Sequence, residues 1–173
     1  PYNTYRNSKE ALKNAKLVMR KTKCEAIKLE GGSKIISTVK TLVKNKIPVM
    51  GHLGILPQTE KKFTFKGKKT DEINKLLKDS KLLEKAGIFS IVLECVESKL
   101  AKKITNQLKI PTIGIGSSVN CDGQVLVTDD LIGLSESKFK FVKKYTNLNQ
   151  IINSTVKKYR IEVLKKKFPK AKH

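Results

Sequence analysis

The sequence predicts an α/β fold built on a parallel sheet, and three observations carry that prediction. Segments with helical spacing of apolar residues alternate with short apolar runs, the pattern of successive βα units. The short runs show no polar–apolar alternation, as expected of strands covered on both faces. Two of them, "KIPVMGHLG" at 46–54 and "KIPTIGIGS" at 109–117, share a layout in which Ile-Pro opens the strand and glycines close it. That likeness points to a repeated unit. A length of 173 residues fits a single domain spanning 1–173, with enough chain to bury a core.

Residues 9–21 place Ala11, Leu12, Ala15, Val18 and Met19 on one helical face, with Asn7 and Glu10 as a capping pair. "CEAIKLEGG", residues 24–32, reads as a strand ending in glycines. Helical spacing returns over 33–45 through Ile36, Val39, Leu42 and Val43, and "IPVMGH" at 47–52 is the second strand. A polar, glycine-containing loop at 54–69 leads to a helix over 70–86, marked by Ile73, Leu76, Leu77, Leu82, Leu83 and Ala86. "FSIVLEC" at 89–95 is the third strand, 98–108 the next helix, and "IPTIGIG" at 110–116 the fourth strand. Further on, "GQVLVTDDLIGL" fits a strand or a short helix, and "KFKFVKKY" at 138–145 alternates like an exposed or terminal strand. An amphipathic helix is predicted over 147–166 through Leu148, Ile151, Ile152, Val156, Tyr159 and Val163. Five βα-like units fit either an open doubly wound sheet or the latter part of an eight-stranded barrel. "GIGSSV" breaks the dinucleotide fingerprint GxGxxG at Val119, and no GxxxxGK[ST] loop is present.

A hydrophobic content of 39% and a charged content of 30% belong to the soluble globular class. No apolar run approaches the ~20 residues of a membrane helix, and the polar start "PYNTYRNSKEALKNAK" lacks the apolar stretch of a signal peptide. The chain begins at Pro1, without an initiator methionine, and is expected to be a piece of something longer. Cys24, Cys95 and Cys121 are odd in number and far apart. They read as reduced thiols in a cytoplasm, Cys95 as a packing residue rather than a reactive one. The formal charge of +22 raises nucleic acid as a partner, but only Arg6, Arg20 and Arg160 are arginines among 37 basic residues. Base-edge recognition leans on the arginine fork. The lysines spread over every segment, with "KKFTFKGKK" and "LKKKFPKAK" as local concentrations only. A solvated lysine surface with no nucleic-acid partner is the expectation.

Functional groups of parallel α/β folds collect at the carboxyl ends of strands. There the first strand carries Lys28 and Glu30, which alternation puts on one side. The second ends at His52, one of two histidines, the third at Glu94, and the fourth in the small residues "GIGSS". A lysine suits an anionic substrate group, one carboxylate suits a hard divalent cation, and the other suits a base. Each has a plainer alternative. Lys28 and Glu30 fit an ion pair, Glu94 an acceptor at a helix N-terminus, and His52 a core histidine.

Four motifs occur together in order: "KLEGG" at 28–32, "IPVMGHLGILPQ" at 47–58, "IVLECV" at 91–96, and "IPTIGIG" through "CDGQVLV" at 110–127. In combination they resemble the ketopantoate hydroxymethyltransferases, and with "KFVKKY" and "FPK" the resemblance covers essentially the whole chain. It implies a (β/α)8 TIM barrel of the phosphoenolpyruvate-mutase type. It also implies magnesium-dependent transfer of a one-carbon unit from methylene-tetrahydrofolate to 3-methyl-2-oxobutanoate (α-ketoisovalerate), giving ketopantoate in pantothenate synthesis. By motif match Glu30 is the metal-site glutamate, Lys28 the substrate-binding lysine, Glu94 the proton acceptor, and His52 a residue lining the substrate pocket. The family has three further strands ahead of this point, bearing two metal-site aspartates and a substrate-binding serine. The chain is therefore expected to be a partial barrel lacking about the first three strands, unable to complete the magnesium site alone. The resemblance further implies a cytoplasmic homo-oligomer, a decamer of dimers and pentamers. The alternatives are a superfamily lyase acting on a magnesium-bound α-keto acid, a basic nucleic-acid-binding protein, and a non-catalytic fragment.

Overall fold

A computed structural model describes residues 1–60, 64–137 and 139–170. Two compact units make up the chain, Pro1–Val125 and Leu126–His173.

In the first unit, helix α1 (Ser8–Thr22) starts where the Asn7 side chain accepts from the Glu10 backbone N–H, the expected cap, and buries Ala11 and Ala15. Strand β1 (Ile27–Glu30) runs through one 3-10 turn into α2 (Ile36–Lys44). Strand β2 (Val49–Gly54), helix α3 (Thr70–Ala86), β3 (Ser90–Glu94), α4 (Ser98–Gln107) and β4 (Thr112–Ile115) follow. A two-residue strand, β5 (Gly123–Gln124), closes the unit. All pairings are parallel, and the strand order is β1-β2-β3-β4-β5. The order never reverses, so the doubly wound alternative is excluded for these five strands. Right-handed crossovers between consecutive neighbours put every connecting helix on one face, as in an arc of a βα barrel.

The two Ile-Pro openings have a shared physical reason. Proline has no N–H for the ladder and is tolerated at the first residue of a strand. Here the Pro48 and Pro111 carbonyls accept from the Ile27 and Ile91 N–H groups of the preceding strands, at 2.9 and 3.0 Å. Each proline thus contributes only its acceptor.

Strand alternation divides the sheet into two faces. Leu29, Val49, Leu53, Ile91 and Leu93 pack with Val39, Leu42, Leu83, Ala86, Ala101 and Ile104 of the helices into the hydrophobic core. Fully burying one such side chain contributes about 1.5–3 kcal/mol. In register on the opposite face stand the rows Lys28–Met50–Ser90, Glu30–His52–Val92–Ile113 and Glu94–Ile115.

In the second unit, α5 (Thr128–Leu131) resolves "GQVLVTDDLIGL": its first two residues are β5 of the first unit and its middle is helical. Helix α6 (Leu148–Leu164) confirms the last predicted helix, with the Asn147 side chain accepting from the Gln150 N–H at its start. The strand expected over 138–145 does not form across 139–145; Lys138 lies outside the described residues. Phe139 and Phe141 do share a side, their rings stacked at 5.5 Å. In the segment's backbone Val142 donates to Phe139 and Tyr145 to Leu131 at the end of α5. Among the described residues no neighbouring strand pairs with it. Of "KKFTFKGKK", residues 61–63 lie outside the described residues. No described helix is long and apolar enough to cross a membrane.

Candidate active site

The four predicted site residues share the sheet face opposite the helices, and three of them meet. His52 lies between two carboxylates: its Nε2 is 3.2 Å from Glu94 Oε2 and its Nδ1 is 4.0 Å from Glu30 Oε1. The register explains the meeting. Glu30 pairs with His52, while Glu94 pairs with Gly54 two residues further along β2. All three are buried, His52 at 1% exposure and the glutamates at 9% each.

Neither ring nitrogen of His52 makes a hydrogen bond with a described residue. An unmatched buried polar group costs about 1–3 kcal/mol, so the fold retains a real expense at this point. A histidine serving only the core is normally satisfied. Two unmatched nitrogens between two carboxylates mark a place built for chemistry or for a ligand.

Lys28 shares the face but sits two residues before Glu30 and is exposed, displaced about 7 Å along the strand at ~3.3 Å per residue. It forms no ion pair with Glu30. Glu30 is held instead by the Gln58 backbone N–H, which donates to its Oε2 at 3.1 Å. The Tyr5 hydroxyl in turn donates to Gln58 Oε1 at 3.0 Å. Burial, and then the charge of Glu30, push the Tyr5 phenol above its ordinary pKa, which keeps it a neutral donor. Glu94 does not cap a helix; Glu97 does, accepting from the Lys99 and Leu100 N–H groups at 2.8 and 3.1 Å. Glu94 is thereby left free of the plainer role.

The glycines around these residues have steric causes. Gly54 sits at φ +101°, and a Cβ there would come within 2.0 Å of the Glu94 carbonyl oxygen. Gly32 leaves room for Asp79 of α3, whose Oδ2 would lie 1.9 Å from a Cβ. Asp79 is buried, and its Oδ1 accepts from the Ser33 N–H at 3.2 Å, anchoring the turn that follows Glu30.

The small residues after β4 are knitted into the fold. Ser117 donates to the Val96 carbonyl, and buried Ser118 accepts from Ser98 and Asn120. Cys95, next to Glu94, is buried, and burial followed by the Glu94 charge raises its thiol to about 11. It is thus an inert packing thiol. Tyr5, Gln58 and Asp79 went unmarked in the sequence because no strand-end pattern points to them.

Among the described residues, no group of three or more histidine, cysteine or acidic side chains is arranged to hold a metal ion. Glu94 and His52 provide an acceptor and a polar neighbour at a buried, otherwise apolar strand end.

The sequence model of the ketopantoate hydroxymethyltransferases matches residues 1–171. The chain is 65% identical over 173 residues to the 3-methyl-2-oxobutanoate hydroxymethyltransferase of Pelagibacter ubique (strain HTCC1062), covering all of this chain and 67% of that protein. It is 44% identical over 178 residues to the enzyme of the same name from Clostridioides difficile (strain 630), covering 65% of it. With that of Saccharolobus islandicus (strain L.S.2.15 / Lassen #1) it shares 48% over 177 residues, covering 66%. The chain thus spans about two thirds of the length of these relatives. The family model and the relatives agree: this chain belongs to the ketopantoate hydroxymethyltransferase family.

Proposed function

We propose that this chain supplies part of an active site that transfers a hydroxymethyl group to 3-methyl-2-oxobutanoate, giving 2-dehydropantoate, with 5,10-methylene-tetrahydrofolate as the one-carbon donor. The observation that carries the proposal is the buried Glu30–His52–Glu94 array, with its two unmatched ring nitrogens, at adjacent strand ends. It stands in a chain of this family.

Glu94 is the base. It takes the proton from C3 of the keto acid, and the resulting enolate carbon replaces one of the two folate nitrogens on the donor's methylene carbon while the hydroxyl of a water replaces the other. The C3 proton and the second proton of that water pass to the two nitrogens, and tetrahydrofolate leaves. His52 lines the keto-acid pocket, its Nε2 3.2 Å from Glu94 Oε2. Lys28, on the same face, takes the substrate carboxylate as a point charge. Glu30, held by Gln58, is the ligand this chain offers to magnesium. The described residues do not assemble a complete magnesium centre, and the residues' roles stated here stand without it. A single domain, a homo-oligomer and a cytoplasmic location complete the proposal.

The test is product formation by the protein with keto acid and 13C-labelled methylene-tetrahydrofolate. Label in the new hydroxymethyl carbon is the expected result. Turnover that ignores the folate donor would reject the transferase in favour of a lyase acting on the same keto acid.

A further inference from the structure

Strand β3 ends in a left-handed turn. Cys95, the residue after Glu94, has φ +51° and is 2% exposed. A side chain makes this backbone region unfavourable, and such residues persist only where their surroundings over-determine them. The other non-glycine residues described with positive φ, Asn3, Lys23, Lys46 and Lys166, are all exposed. The carboxyl ends of β1, β2 and β4 also take a positive φ, but at glycines, Gly31, Gly54 and Gly116. Of these four strands, only the one that carries the proposed base makes the turn with a side chain in place.

Hydrogen bonds clamp the turn from several sides. The Cys95 N–H donates to the Ile115 carbonyl of β4 at 2.9 Å, and the Glu94 carbonyl accepts from the Ile55 N–H, just past β2, at 2.9 Å. The Cys95 carbonyl accepts from the Lys66 N–H at 2.9 Å, and the Lys66 carbonyl from the Glu97 N–H at 2.8 Å. The Ser117 hydroxyl donates to the Val96 carbonyl at 3.0 Å. The turn also redirects the chain. Strand alternation would put Val96 on the face of Val92 and Glu94. Val96 is instead fully buried in the hydrophobic core with Leu100 and Ala101 of α4. Alternation therefore breaks directly behind Glu94.

We propose that Cys95 is a positioning residue: its left-handed backbone, clamped between β4, the end of β2 and the segment at Lys66, fixes the direction in which Glu94 presents its carboxylate to C3 of the keto acid. The inference rests on the assignment of Glu94 as the base. It sets a requirement at this position that packing alone does not: a residue able to turn left-handed serves, and a β-branched one does not.

The experiment is deuterium uptake at C3 of 3-methyl-2-oxobutanoate in D2O, with KM and the denaturant midpoint measured beside it. The proteins are the wild type, Cys95→Ala, Cys95→Gly, Cys95→Val, Ser117→Ala and Glu94→Gln. Glycine adopts the turn freely and alanine at the same penalty as cysteine, so both are expected to exchange within about threefold of wild type. Valine resists the turn and is expected to slow exchange about ten- to a hundredfold with KM within about threefold, the scale of a displaced reacting group. Ser117→Ala releases the Val96 carbonyl without touching the turn residue and is expected to slow exchange about threefold. A folded Cys95→Val that exchanges at the wild-type rate overturns the positioning role and leaves the base reading intact. Cys95→Ala slowing as far as Cys95→Val overturns it too, because the thiol and not the turn would then matter. If Cys95→Val does not fold, Ser117→Ala decides, and an unchanged exchange rate there overturns the role. If Glu94→Gln exchanges at the wild-type rate, the base reading falls and takes this inference with it.

Discussion

Replacing Glu94 by glutamine separates the chemistry of the site from its packing. Glu94 ends β3 at 9% exposure, with its Oε2 3.2 Å from His52 Nε2. Glutamine keeps the shape and the neighbour and removes the proton-accepting charge. A positioned general base contributes about 10²–10⁴ in rate, which is about 2.7–5.4 kcal/mol of barrier at 1.36 kcal/mol per decade. The stability cost is small by comparison, within about 1 kcal/mol, because no cavity opens and no charge is newly buried. The assay is deuterium uptake at C3 of 3-methyl-2-oxobutanoate in D2O without donor, followed by NMR beside steady-state turnover. Glu94→Gln is expected to lower exchange and kcat by the same factor and to leave KM within about threefold. Exchange at near wild-type rate would mean that another group takes the proton. Lost turnover with full exchange would move Glu94 to a later step, and either result refutes the assignment.

Three further outcomes follow from the same geometry. His52→Ala is expected to raise KM for the keto acid more than Glu94→Gln does. It also costs about 2–4 kcal/mol through the cavity it leaves, a fall in Tm of about 4–16 °C for a chain of this size. The reverse kinetic pattern would remove His52 from the pocket wall. Gly54→Ala combines strain at φ +101° with overlap on the Glu94 carbonyl. It is expected to cost about 2–6 kcal/mol, read as a lower denaturant midpoint at unchanged slope. Asp122 accepts from the Thr112 N–H and hydroxyl, which hold its carboxyl below the ordinary value of 3.8. Its stabilisation is complete above pH 3.8 and is lost as pH falls through the depressed folded value. In Asp122→Asn the acid-side loss of stability is therefore shallower than in the wild type, and identical acid profiles would contradict the bond.

Most of the architecture is local and therefore legible. The α1 cap, the Ile-Pro strand openings and the helix spans depend on residues within a few positions of one another, and the structure reproduces them to within three residues, as it does "CEAIKLEGG", which shortens to Ile27–Glu30. The polar strand ends are legible for the same reason: period-two alternation puts Glu30, His52 and Glu94 on one face once the strands are placed. What joins them is not local. Tyr5 reaches Gln58 across 53 residues, Gln58 reaches Glu30 across 28, and Ser33 reaches Asp79 across 46. No periodicity announces those partners. "KFKFVKKY" misled in the opposite direction, because alternation reports which side a residue takes and says nothing about whether a neighbouring strand is there to pair.

The register also explains how this sheet carries a site without breaking up its core. The core lies on the helix-packed face, where Val49, Ile91 and Leu93 are fully buried against Val39, Leu42 and Leu83. The groups that bury charge and unmatched nitrogens lie on the other face, one residue out of step. A one-residue slip would exchange the two sets, putting Glu30, His52 and Glu94 into the helix layer. That slip is strongly opposed, since each buried aliphatic side chain it displaced would forfeit about 1.5–3 kcal/mol. The apolar face therefore holds the register, and the register brings the carboxylates to the histidine. The glycines on either side of His52 have a steric reason: Gly51 lies under Ile88 and Gly54 lies against the Glu94 carbonyl, so β2 packs closely on its neighbours and the imidazole stands between the two acids, 3.2 Å from Glu94 and 4.0 Å from Glu30.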